Sequence, residues 1–225
     1  MPHDLCLSLD TFEPRSAAAL LPAVAARCFY VVEGSLALRG ADGGTALTLG
    51  ANSGAQHAAE CRIGAGHLAA RVLRWELVPT GADVALPATQ GATTRLLLRA
   101  PMTLDASRPW LLRCDRVDFP PGGEALTHTH QGGGIRCLLA GSIRIDTQGH
   151  STTYGPMGAW FEAGPDPVYA AADAQAPSAF ARCMVLPAAL LGGKSSISYV
   201  RQEDLDKPKS QRYQVFVDHP IPASA

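Results

Sequence analysis

Lysine is nearly absent from the 225-residue chain. Only Lys194, Lys207 and Lys209 occur, and the other sixteen of the nineteen basic residues are Arg. No Lys/Arg cluster stands out and the formal net charge is −1, so the basic face that nucleic-acid binding needs is missing. A polybasic patch for a membrane surface is missing too. No apolar run reaches the roughly 18 residues of a spanning helix. The first ten residues carry Asp4 and Asp10 and no basic lead, and Pro22 interrupts the apolar stretch 17–26, so no secretory leader is expected. The six cysteines, Cys6, Cys28, Cys61, Cys114, Cys137 and Cys183, include no CxxC pair. That scatter fits neither a disulfide framework nor a thiolate zinc site, and it reads as buried thiols of a cytoplasmic protein. Sustained helical periodicity is lacking as well.

What is plentiful is punctuation. Gly (22) and Pro (17) break the chain at short intervals, and the β-branched or Leu-rich runs between them predict an all-β protein. The runs come in two matching sets. Cys28-Phe-Tyr-Val-Val and Ser35-Leu-Ala-Leu-Arg39 precede the turn Gly40-Ala-Asp-Gly-Gly44 and the run Thr45-Ala-Leu-Thr-Leu49. Ile135-Arg-Cys-Leu-Leu139 and Ser142-Ile-Arg-Ile145 precede the turn Asp146-Thr-Gln-Gly149 and Ser151-Thr-Thr-Tyr154. Placing Gly34-Ser35 on Gly141-Ser142 sets Val32 on Leu139, Leu36 on Ile143 and Leu38 on Ile145, an offset of 107. In the same reading Gly50 falls on Gly158, and Ala70-Arg-Val-Leu73 falls on Ala181-Arg-Cys-Met184. So long a period predicts a duplicated domain, with a boundary near 103–108: residues 1–104 and 105–225.

Chemistry concentrates in Gly122-Gly-Glu-Ala-Leu-Thr-His128-Thr-His130-Gln-Gly-Gly-Gly134-Ile-Arg136. Residues two apart on a strand share a face, so His128 and His130 present two imidazoles side by side. That suits one divalent transition metal (Fe, Mn, Ni, Cu or Zn), although two such His can also be plain surface or core residues.

The segment resembles the first cupin motif, in which a glycine is followed by an H-x-H pair, a glutamate and a second glycine. Gly122, His128, His130 and Gly141 stand at the matching positions, and Gly134 stands where the family has its glutamate. A second motif is matched in register from Gly158, with Tyr169 at the family's histidine position and Asp173 at its asparagine position. The resemblance covers roughly 20–186 and implies a bicupin, two tandem jelly-roll β-barrels. In the first repeat Leu21 and Ala23 replace the two His and Arg27 sits at the glutamate position, which implies a metal-free, structural N-terminal barrel.

Glu162, in Ala159-Trp-Phe-Glu162, is the carboxylate placed to complete the His pair if it faces inward; otherwise it faces out or pairs with an Arg. Strand alternation also turns Arg136 inward, where it either binds the anionic group of a substrate or forms an ion pair with Glu162. Tyr169 could ligate, donate to a substrate, or simply close the barrel mouth.

The expectation is therefore a metal-binding bicupin with dioxygenase-like or isomerase-like chemistry on a small anion. His128, His130 and Glu162 hold the metal, and Arg136 and Tyr169 contact substrate. The alternative is a non-catalytic, small-molecule-binding or sensor cupin without essential metal. Expected partners are a small-molecule ligand and, as the resemblance implies and low charge and exposed strand edges favour, a second copy of the chain in a homodimer.

Overall fold

A computed structural model describes residues 2–41, 44 and 46–222. The turn expected at 40–44 and the start of the run at Thr45 fall partly on Asp42, Gly43 and Thr45, outside the described residues. The chain divides into two units, one running to Ala106 and the other from Ser107 to Pro220.

In the first unit the strands are β1 (His3–Phe12), β2 (Ala19–Leu21), β3 (Ala26–Glu33), β4 (Ser35–Gly40), β5 (Leu47–Gly50), β6 (Ser53–Gln56), β7 (Cys61–Ala65), β8 (Ala70–Pro79) and β9 (Ala92–Met102). They form the sheets β6-β3-β8-β1-β9 and β2-β7-β4-β5. Side chains from both sheets meet in one core, including Phe12, Phe29, Val31 and Val72 from the first and Leu21, Leu36 and Ile63 from the second.

The second unit repeats the plan with β10 (Trp110–Phe119), β11 (Glu124–His130), β12 (Gly134–Ala140), β13 (Ile143–Thr147), β14 (His150–Tyr154), β15 (Ala159–Glu162), β16 (Val168–Ala172), β17 (Ser178–Pro187), β18 (Ile197–Tyr199) and β19 (Arg212–Pro220). Its sheets are β15-β12-β17-β10-β19 and β14-β13-β16-β11-β18. Its core joins Val117, Leu138, Trp160 and Phe180 to Ile143, Val168 and Ala170. All pairings between strands are antiparallel. Among the described residues helix is confined to 3-10 turns at Ala188–Leu190 and Gln202–Asp204. Among the described residues no helix is long and apolar enough to cross a membrane. All six cysteines are buried and none forms a disulfide.

The repeat is anchored by Gly34 and Gly141. Both have positive φ (73° and 75°). A Cβ on either would collide with a backbone carbonyl leading into the long central strand, Ala69 O or Pro177 O. That close approach fixes the register of the two repeats and corrects two of the equivalences expected from sequence. Arg27 lies opposite Glu76, and Gly134 lies opposite Met184. Glu76 therefore matches Met184, and Arg74 matches Arg182, an offset of 108. Likewise Asn52 and Met157 share a positive φ and the same backbone bond, to Val31 O and Leu138 O. Gly50 thus matches Gly155, and Gly158 is not its partner.

Candidate functional site

β11 carries the His pair. Its ladder with β16 slips between Ala125 and His128, so one residue is bulged out. The bulge reverses the alternation, and Ala125, His128 and His130 all end up buried. The same distortion lets the His128 ring turn back and donate from Nδ1 to Leu126 O at 2.7 Å. His128 Nε2 is then an unprotonated acceptor. It lies 3.2 Å from His130 Nε2, with the rings edge to face. His130 Nδ1 meets Ser196 Oγ at 3.2 Å. Ser196 lies just before β18, which pairs with β11 and sets Tyr199 beside His128.

Glu162, at the end of β15, points inward. Its Oε2 is 3.2 Å from His130 Nε2 and 2.6 Å from Arg136 Nη2, and its Oε1 accepts from Trp160 Nε1 at 2.8 Å. Burial drives both imidazoles to the neutral form. His130 is pushed down to about 3, and His128 is lowered for the same reason. Burial alone would raise the Glu162 carboxyl, but Arg136 and His130 more than reverse it and hold it ionised. These groups surround a cavity of about 20 Å³, room for a water or a single ion.

The donor set fits a metal ion in three respects. Ligands about 2.0–2.2 Å from one ion lie about 2.8–3.6 Å from each other, between right-angled and tetrahedral geometry. The two Nε2 atoms fall in that range, and so do His130 Nε2 and Glu162 Oε2. Each ring also commits its other nitrogen to a backbone or hydroxyl partner, the usual orientation of a metal-binding imidazole. At most one proton, on His130 Nε2, lies among the three converging acceptors. One feature runs the other way. Among the described residues no group of three or more His, Cys, Asp and Glu is placed to hold an ion, and Glu162 Oε2 is also bonded to Arg136.

Two expectations for substrate contact need correction. Arg136 is fully buried and committed: it bonds Glu162 and donates to Gly134 O at 2.6 Å. A buried guanidinium needs a partner and Glu162 supplies it, so of the two expected roles the geometry shows the ion pair, with Arg136 in the wall of the small cavity. Tyr169 is on the wrong face. Val168 and Ala170 line the cavity, so alternation turns Tyr169 outward, where its hydroxyl donates to Glu124 and its ring packs under Arg144. A Cβ on Gly134 would lie 2.5 Å from Cys183 O, and one on Gly132 would collide with Val185 O, so these glycines let the chain pass close over β17. Residues that sequence reasoning passed over are Ser196, Tyr199 and Arg182. Arg182 also lines the cavity and is paired with Asp115 at 2.7 Å.

No family model matches the chain, and no curated protein matches it by sequence. Similarity is found among solved structures. An oxalate decarboxylase mutant of Bacillus subtilis aligns over 90% of this chain and 73% of its own, with TM-score 0.63 and 13% identity. A salicylate 1,2-dioxygenase mutant of Pseudoaminobacter salicylatoxidans aligns over 94% and 74%, with TM-score 0.54 and 12% identity. A cupin 2 conserved barrel domain protein of Leptotrichia buccalis aligns over 81% and 84%, with TM-score 0.50 and 12% identity. At such identities the likeness speaks for the fold. Two antiparallel units, repeated in strand order and turn glycines, are similar in fold to these solved structures.

Proposed function

We propose that the second barrel is the one-metal centre of a cupin that acts on a small anionic molecule. The reading rests on one observation: two neutral, buried imidazoles present their Nε2 atoms to each other at 3.2 Å, each with its Nδ1 engaged elsewhere. His128 and His130 would hold a divalent transition metal, with Glu162 as third donor. Bound there, the ion would supply Lewis-acid polarisation of a coordinated oxygen. Trp160 and Arg136 orient the Glu162 carboxylate, and Leu126 O fixes the His128 tautomer. Apolar side chains such as Phe180 and Val168 exclude bulk water.

Charge favours an anionic partner. Arg136 with Glu162 and Arg182 with Asp115 sum to zero, so the two charges of a metal ion would be answered from outside the chain. One solved neighbour is described as an oxalate decarboxylase with Mn(II) centres and another as a salicylate dioxygenase, and both names refer to carboxylates. A second reading, a metal-free binding barrel, is favoured by the closed Arg136–Glu162 pair.

Elemental analysis and Mn(II) or Zn(II) titration of the wild type and of His128→Ala separate the two. One equivalent per chain, lost in a variant whose circular dichroism is unchanged, is expected. No uptake by the wild type, or undiminished uptake by the variant, leaves the metal-free barrel.

A further inference from the structure

The second unit holds another, larger cavity of about 290 Å³, close to the lower end for ligand pockets. It lies against β10, β17, β18 and β19, and Arg182 and Tyr213 line both it and the small cavity beside the His pair. Three cations face it: Arg113, Arg182 and Lys209. In two of them every nitrogen already holds an acceptor. Arg113 bonds Asp218 from Nε and the carbonyls of Lys194 and Leu190 from its terminal nitrogens. Lys209 Nζ is shared among the carbonyls of Asp204, Leu205 and Lys207.

Arg182 differs. It spends Nε and Nη2 on Asp115 and lies over the Tyr213 ring, and among the described residues its Nη1 has no hydrogen bond. The repeat explains why. In the first unit the matching Arg74 gives Nη1 to Glu76, and in the second the matching residue is Met184. A donor closed by a carboxylate in one unit is left open on a cavity in the other. The charges agree: Arg113, Arg182 and Lys209 against Asp115 and Asp218 leave one positive charge at this cavity. Tyr199 and Tyr213 add two aromatic rings to its wall.

We propose that this cavity is a binding site for a planar aromatic monoanion, with the ligand carboxylate on Arg182 Nη1 and its ring against Tyr199 and Tyr213. The cavity adjoins the His pair, sharing Arg182 and Tyr213 with the small cavity, but the proposed contacts do not depend on a metal there. A charged acceptor gains a charge-assisted bond that a neutral one forgoes, and an aromatic ring gains contact that a methyl group lacks.

The test is calorimetric titration of the full chain, in excess chelator, with benzoate, benzamide and acetate, against the wild type, Arg182→Lys and Tyr213→Ala. Benzoate should bind, with benzamide and acetate each weaker by about tenfold or more. Tyr213→Ala, at a partly exposed position, should weaken benzoate about fivefold or more. Arg182→Lys should lose the preference for benzoate over benzamide. If Arg182→Lys unfolds because Asp115 is left alone, the ligand series and Tyr213→Ala still decide. The proposal is overturned if benzoate does not bind the wild type, if benzamide or acetate equals it, or if Tyr213→Ala binds benzoate like the wild type.

Discussion

The two barrels share strand order and turn glycines, yet their interiors are opposites. In the first, Arg27 occupies the place of Gly134 and bonds Glu76 at 2.6 Å. Glu76 also takes Arg74, which bonds Asp10 at 2.6 Å. Two guanidinium groups and two carboxylates thus neutralise each other with almost no exposure, and Leu21 packs in the core where the second unit has His128. In the second, the paired charges are Arg136 with Glu162 and Arg182 with Asp115, and two neutral imidazoles stand among them. The sandwich is common to both units, and differences at a few inward positions leave one interior a closed set of ion pairs and the other a pocketed one.

The largest expected effect breaks the closed side. Glu76→Leu leaves Arg27 and half of Arg74 without their carboxylate, and breaking a buried pair costs about 3–5 kcal/mol. Urea denaturation should show that loss, while metal uptake per folded chain stays unchanged.

Next comes pH. In metal-free protein the unfolded chain protonates His130 near its ordinary value of 6.5, whereas the folded chain resists down to about 3. The unfolded state then binds more protons as pH falls, so stability drops below about 6.5. For this one group the loss between pH 7 and 5 is about 2 kcal/mol. His128 acts in the same direction, while Glu162, held ionised, adds its loss only at lower pH. The pH dependence of the urea midpoint should flatten in His130→Leu. Among the described residues the core cluster of the first barrel holds no imidazole.

A smaller effect is expected at Ser196→Ala. Loss of the hydroxyl beside His130 Nδ1 should weaken Zn(II) binding about tenfold or more, read by competition with a chelating dye. The smallest belongs to Tyr169→Phe. Its hydroxyl bonds Glu124 outside the cavity, so metal affinity should not change and stability should shift by about 0.5 kcal/mol or less.

Much of the fold was legible because its signals are local. Gly34 and Gly141 mark matching turns, and β-branched runs mark the strands between them. His128 and His130 were legible for the same reason, since alternation puts residues two apart together. Glu162 was one of two open orientations, and only the β12–β15 register settles it inward. What sequence could not give was pairing across distance. Matching Ala70 to Ala181 hid the equivalence of Arg74 with Arg182, because a slip of three residues leaves the apolar pattern similar. Carrying a family position onto Tyr169 put it one residue off the inward-facing Val168. β18 and Ser196 lie in a tail with no periodic pattern, and their position depends on a ladder to β11 more than sixty residues upstream.

The central claim is that a single barrel binds metal and does so through the His pair. Anomalous scattering from crystals soaked in Mn(II) or Zn(II) tests it directly. The account predicts one strong peak per chain, within about 2.0–2.2 Å of both His128 Nε2 and His130 Nε2, and none in the unit ending at Ala106. A peak inside that first unit, or none at His128 and His130, would contradict it.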